Sequence, residues 1–181
     1  MKIAVMDIET TDLDIRKGSI CEIGIVLLDL ENGNIETIFN NICREDNIEI
    51  TPNSWVFKNS SLTYTNVIES LSFEYYKKEL QEIFNIYHTT SYSNFDFKFM
   101  KSRGLLFPKL FWDPMKKLTL IMKLPYNAYK YHYPSVVEAY EYFFNESINE
   151  EHRAIDDAII EAKIIYKLYK QLEAKYKEVL L

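Results

Sequence analysis

The chain has 181 residues, 48% hydrophobic and 27% charged, which suits one domain over residues 1–181 with a substantial core. No apolar run approaches the ~18 residues of a membrane span, and no signal-peptide pattern precedes the first strand, so a cytoplasmic protein without a membrane partner is expected. The net charge of −6 argues against tight, sequence-independent binding of long duplex, which needs a broad basic surface. Cys21 and Cys43 fit no metal-ligand spacing and read as free buried thiols.

The elements follow from periodicity. Residues 2–6 form a short apolar strand, and Asp7 to Ile15 a polar loop. Ser19 to Leu30 is a second strand. Asn32-Gly33 is a hairpin signal, so Ile35 to Cys43 returns antiparallel as strand three. Residues 44–71 are broken by Pro52, with Trp55, Val56, Phe57 and Leu62 anchoring a loop or short helices. From Phe73 the apolar spacing is helical, and Ile86 to Ser93 reads as strand four. A helix starts near Asn94 and stops near Gly104; Leu106 to Trp112 is a fifth short strand. A helix from Met115 to Lys123 and a linker to Pro134 follow. Ser135 and Glu138 make a capping box for a helix to Phe144, and a last helix runs from near Arg153 to the C-terminus. Three strands in a meander, then alternating helices and strands, imply an α/β fold with one mixed sheet flanked by helices.

Chemistry concentrates in three segments. In Asp7-Ile8-Glu9 the side-chain period of two points both carboxylates to one side of a strand. Two adjacent acids repel, and the remedies are a divalent cation or protonation of one of them. Ser93-Asn94-Phe95-Asp96 puts a third acid where strand four meets a helix. His152-Arg153-Ala154-Ile155-Asp156-Asp157-Ala158 puts a histidine at the mouth of the last helix and acids in its first turns. Successive helical residues point about 100° apart, so only one of Asp156 and Asp157 faces a given site.

Together these segments resemble the DnaQ-like, or DEDDh, family of 3′→5′ exonucleases. D-I-E-T-T-D-L at 7–13, S-N-F-D at 93–96 and H-R-A-I-D-D-A at 152–158 carry the resemblance, with Glu22-Ile23-Gly24 and the E-A-Y of the Pro134–Phe144 segment in support. It implies a ribonuclease-H-like fold: a five-stranded mixed sheet of order 3-2-1-4-5, strand 2 antiparallel, flanked by helices. It implies two divalent ions, Mg²⁺ or Mn²⁺, held by Asp7, Glu9, Asp96 and Asp157. Asp7 would bridge the ions, Glu9 and Asp157 complete the one holding the attacking water, and Asp96 act on the other through water. His152 would be the general base, suited by an unperturbed pKa of roughly 6.5. The family spacing puts the ligand five residues after the histidine, selecting Asp157 over Asp156. Thr10, Thr11 and Leu13 fall where relatives meet the terminal nucleotide. The chain departs from many relatives at Asp12, where they carry glycine, and at Ser91-Tyr92-Ser93-Asn94, where they carry a His-Asn pair.

The implied activity is release of nucleoside 5′-monophosphates from the 3′ end of a nucleic acid. DNA is expected first, because the third motif and the E-A-Y helix resemble the proofreading branch typified by the epsilon subunit of DNA polymerase III; a polymerase or repair partner would go with that. The alternatives are an RNA-directed relative of the oligoribonuclease or trimming type, and a non-catalytic nucleic-acid-binding module. Tyr126, Tyr129, Tyr131 and Tyr133, interleaved with Lys130 and His132, suit base stacking but read first as tyrosines packed on the body. His88 and His132 read as structural, Trp55 and Trp112 as core, and Lys167, Lys170, Lys175 and Lys177 as a solvated helix face.

Overall fold

A computed structural model describes residues 1–127 and 130–179, with side chains through Lys175. Tyr129 and Lys177 lie outside the described side chains. The elements run β1 (Lys2–Thr10), β2 (Ile20–Asp29), β3 (Ile35–Ile42), α1 (Trp55–Asn59), α2 (Tyr64–Ile68), α3 (Phe73–Ile86), β4 (His88–Thr90), α4 (Phe95–Ser102), α5 (Pro114–Met122), β5 (Pro125–Asn127), β6 (Lys130–Tyr131), α6 (Val136–Phe144) and α7 (Ala154–Val179).

The main sheet has order β3-β2-β1-β4, with β1–β2 and β2–β3 antiparallel and β1–β4 parallel. Gly33, at φ +80°, turns the β2–β3 hairpin, and its amide donates to the Asp29 carbonyl. The mixed sheet, its antiparallel second strand and the flanking helices are as expected. The fifth strand is not. Leu106 to Trp112 contributes one parallel bridge, Leu110 with Thr89, through the Lys109 carbonyl and the Phe111 amide. Pro108 has no amide to donate, and β4 offers only three residues to pair with. The sheet therefore has four strands rather than five in the order 3-2-1-4-5. The expected linker before Pro134 instead holds the two-stranded ribbon β5–β6.

Alternation along β1 sorts the core into two layers. Ala4, Met6 and Ile8 pack with Leu80, Phe84, Phe97 and Phe99 of α3 and α4. Ile3 and Val5 pack with Ala158, Ala162 and Ile165 of α7. Asp7 and Glu9 continue the second series, so they face α7. On α7, Ala154, Asp157, Ala158, Glu161, Ala162, Ile165 and Leu168 are all buried, a helical stripe with small residues that bring the helix close to the sheet.

Candidate active site

β1 extends to Thr10, well past the expected end at Met6, so Asp7 and Glu9 both sit on regular strand. The register shifts between Glu9 and Thr10, where the strand leaves its partner. Across the ladder Asp7 pairs with Gly24 and Glu9 with Glu22. At Gly24 a Cβ would lie 2.4 Å from the carbonyl carbon and oxygen of Ala154. The first turn of α7 thus rests on bare backbone of β2, directly beside Asp7. Glu22, fully buried, fixes the helix there: its Oε1 accepts from Arg153 Nη2 at 2.6 Å and its Oε2 from the Ala154 amide at 3.0 Å. That carboxylate serves as both counter-ion and cap for the helix N-terminus.

This clamp places the third motif. His152 takes a left-handed backbone, φ 49°, immediately before α7. Asp157 is 5% exposed and faces the site, whereas Asp156 is exposed to solvent. One ligand atom from each of Glu9, His152 and Asp157 lies within 4.8 Å of the others. Asp157 Oδ1 is buried with no hydrogen-bond partner. Asp96, in the first turn of α4, is 4% exposed. Ser91, one of the departures from the family pattern, donates its hydroxyl to the Ser93 carbonyl within the turn that leads to Asp96. The Ser91 side chain and the Ile8 backbone both act to lower the pKa of the Asp96 carboxyl, so Asp96 stands beside β1.

The electrostatics are those of crowded acids in a dry place. Burial, then repulsion from Asp157 and Glu22, pushes Glu9 up to about 8. Burial, then Glu150 and Asp156, pushes Asp157 up to about 7. Burial raises Asp96 to about 7, against the hydrogen bonds that oppose the shift. Asp7 is raised well above the ordinary carboxylate range, by burial first and then by Glu161, Asp96, Glu9 and Asp157. Ionising any of the four works against burial and its neighbours, and positive charge would relieve that. Oxygen donors of this kind, with one buried oxygen unsatisfied, fit a hard divalent cation.

Beside the acids lies a cleft of about 620 Å³, lined by Thr10, Thr11, Asp12, Leu13, Thr51, Ser54 and Trp55. The three residues expected to meet substrate therefore border one hollow. Leu13 is 82% exposed, which sets aside a core role for it. Trp55 corrects its sequence reading: it is 56% exposed, and its ring meets the His152 imidazole edge-on at 4.8 Å between centroids. Trp112 is half-buried, packed against two of the core clusters. Tyr126, Tyr131 and Tyr133 are exposed rather than packed on the body, because they ride the projecting β5–β6 ribbon and its exit. His132 bonds Glu138 at 3.1 Å, and His88 begins β4 away from the acids. Sequence reasoning passed over Glu22 as a clamp, Trp55 as a cleft wall and Glu161, a buried acid one turn beyond Asp157. The i,i+4 spacing of Asp157 and Glu161 was the available signal for the last.

A family model described as Exonuclease matches residues 4–165. The chain belongs to the exonuclease family. Among curated proteins, none matches it in sequence. Solved structures share its fold. The nuclease domain of 3′hExo, a DEDDh family member bound to rAMP, superposes with a TM-score of 0.72 at 18% identity, covering 94% of this chain and 92% of that one. A 3′-exonuclease solved in recognition of the histone mRNA stem-loop gives 0.73 at 17% identity, covering 94% and 82%. A full-length 3′-exonuclease gives 0.72 at 17% identity, and the chain spans only 60% of its length. The fold is thus the ribonuclease-H-like arrangement of the DEDDh exonucleases. Among the described residues no helix of this exonuclease-family chain is long and apolar enough to cross a membrane.

Proposed function

We propose that this chain is a metal-dependent 3′→5′ exonuclease that removes nucleoside 5′-monophosphates one at a time. The observation that carries the reading is the convergence of Glu9, His152 and Asp157 within 4.8 Å, on the face that also bears Asp7 and beside the loop bearing Asp96. Asp7, Glu9, Asp96 and Asp157 are the residues suited to hold Mg²⁺ or Mn²⁺. Two such ions, when bound, would stabilise the nucleophile, the pentacovalent charge and the leaving 3′-oxygen.

The protein's own groups do the rest. Glu22 and Arg153 hold the start of α7 so that His152 and Asp157 keep a fixed relation to β1. The His152 imidazole, partly exposed at the mouth of the helix, accepts the proton of the attacking water. The left-handed backbone at His152 sets the ring beside the cleft rather than along the helix. Trp55 and Leu13 offer apolar surface to a terminal base, and such stacking tolerates every base because each has a π-face. Thr10 and Thr11 line the path from the cleft to Glu9.

Either sugar is compatible with this cleft. DNA was the first expectation, but an RNA 3′ end fits equally: of the structures sharing the fold, one was solved in recognition of a histone mRNA stem-loop and another bound to the ribonucleotide rAMP. The test uses DNA and RNA oligonucleotides of one sequence, each with a 3′-hydroxyl or a 3′-phosphate, in Mg²⁺ or Mn²⁺. The reading expects mononucleotide 5′-phosphates from the 3′-hydroxyl substrates and strong inhibition by the 3′-phosphate. Internal cleavage, or equal rates with the blocked end, would overturn it. The DNA-to-RNA rate ratio assigns the sugar.

A further inference from the structure

A fifth buried acid stands beside this site. Glu161 lies one turn beyond Asp157 on the face of α7 that packs on β1, and it is 3% exposed. A buried carboxylate ordinarily has a cationic partner. Glu45 has Arg103 and Glu22 has Arg153, whereas among the described residues no salt bridge reaches Glu161. Its Oε2 accepts a hydrogen bond from the Tyr92 amide at 3.1 Å. Tyr92 belongs to the turn that presents Asp96, so Glu161 spans from the Asp157 helix to the Asp96 loop. Through this hydrogen bond Glu161 reaches toward the Asp96 side of the centre, one helical turn from Asp157.

We propose that Glu161 is a fifth carboxylate of the metal centre, serving the divalent cation held on the Asp7–Asp96 side. Asp157 Oδ1, one turn earlier on the same buried face of α7, has no hydrogen-bond partner, which marks this face as built for a cation rather than as an acid-lined wall. The hydrogen bond from Tyr92 fixes one oxygen and leaves the carboxylate negative charge to act on the ion. A fifth acid strengthens cation binding, and its burial costs stability whenever the cation is absent.

The inference rests on the metal-dependent reading above, and the experiment separates the two. Calorimetric titration of the full chain with Mn²⁺ compares wild type, Asp7→Asn, Glu161→Gln and Glu161→Met. Glutamine keeps the length and a carbonyl to accept from Tyr92 but removes the charge; methionine removes both. If Glu161 serves the cation, Glu161→Gln and Glu161→Met both weaken Mn²⁺ binding, by about tenfold or more. The metal-free variants should melt at or above the wild-type temperature. If Glu161 only tethers the Tyr92 turn, Glu161→Gln keeps wild-type Mn²⁺ affinity and only Glu161→Met is impaired. That result overturns the proposal while leaving the exonuclease reading intact. Wild-type protein with no Mn²⁺ binding that Asp7→Asn abolishes would overturn both.

Discussion

Gly24 of β2 touches the carbonyl of Ala154, the first residue of α7, so closely that a Cβ there would sit 2.4 Å from it. The contact is backbone on backbone, so neither side has a flexible group that can yield. Gly24→Ala is therefore expected to push α7 off the sheet, at a cost of about 1–3 kcal/mol in stability. Because Asp157 and His152 travel with that helix, activity should fall further than stability alone explains. Denaturant titration beside kcat/KM measurement checks both effects.

His152 stands at the mouth of α7 with its ring in the Glu9–Asp157 cluster. His152→Ala should lower kcat by about 10²- to 10⁴-fold. Mn²⁺ binding should survive largely unchanged, since the four acids remain. Calorimetry and single-turnover rates on the same preparation separate the two.

The raised acids make stability depend on pH in a definite direction. Glu9 ordinarily titrates at 4.5 and is pushed up to about 8; Asp157 ordinarily titrates at 3.8 and is pushed up to about 7. The unfolded chain releases these protons on the acid side of that window, while the folded chain holds them until its upper end. Their contribution to stability is thus whole below the ordinary carboxylate values and is lost as pH rises through the folded ones. In EDTA the melting temperature should drop between pH 5 and pH 8. Mg²⁺ or Mn²⁺ should raise it more at pH 8 than at pH 5, because cation and proton compete for the same oxygens. Equal metal-induced shifts at both pH values would contradict this.

Trp55 forms a wall of the cleft and meets His152 edge-on. Loss of a base-stacking aromatic costs about 1–3 kcal/mol. Trp55→Ala should therefore raise KM for a single-stranded oligonucleotide about 5- to 100-fold, and Trp55→Phe should recover much of it. Trp112 is half-buried against the core and does not line the cleft, so the larger part of any quenching of tryptophan fluorescence by oligonucleotide should come from Trp55 and be lost in Trp55→Ala.

Arg103 braces the loop that carries Thr11 and Leu13. It donates to the Ile15 and Gly18 carbonyls at 2.6 Å each and pairs with Glu45, which in turn accepts from the Ile20 amide. Both side chains are about nine-tenths buried, at 11% and 10% exposure. Arg103→Ala leaves Glu45 uncompensated and should cost about 3–5 kcal/mol. Thermal unfolding measures it directly.

What the sequence disclosed depended on how local the signal was. The apolar runs of β1 and β2, the Asn32-Gly33 turn and the Ser135–Glu138 capping box are each local signals, and each element is present, though β1 runs on to Thr10. The three motifs were legible because the chemistry of each occupies adjacent positions. The fifth strand failed because Pro108 and the brevity of β4 defeated a run of apolar residues that looked sufficient. Trp55 was misread because size and hydrophobicity favour the core, and only the assembled cleft shows the ring at its rim. The Glu22–Arg153 and Glu45–Arg103 pairs join residues 131 and 58 positions apart, a separation that no local pattern announces.

The central claim is that the convergent acids hydrolyse a nucleic acid from its 3′ end. The most direct measurement incubates 5′-labelled single-stranded DNA and RNA with wild type and with Asp157→Ala, in Mg²⁺ and in Mn²⁺. The expected result is a ladder shortening from the 3′ end with wild type and none with the variant, on at least one of the two sugars. Intact oligonucleotides with wild type under every condition, or an undiminished ladder from Asp157→Ala, would contradict the account.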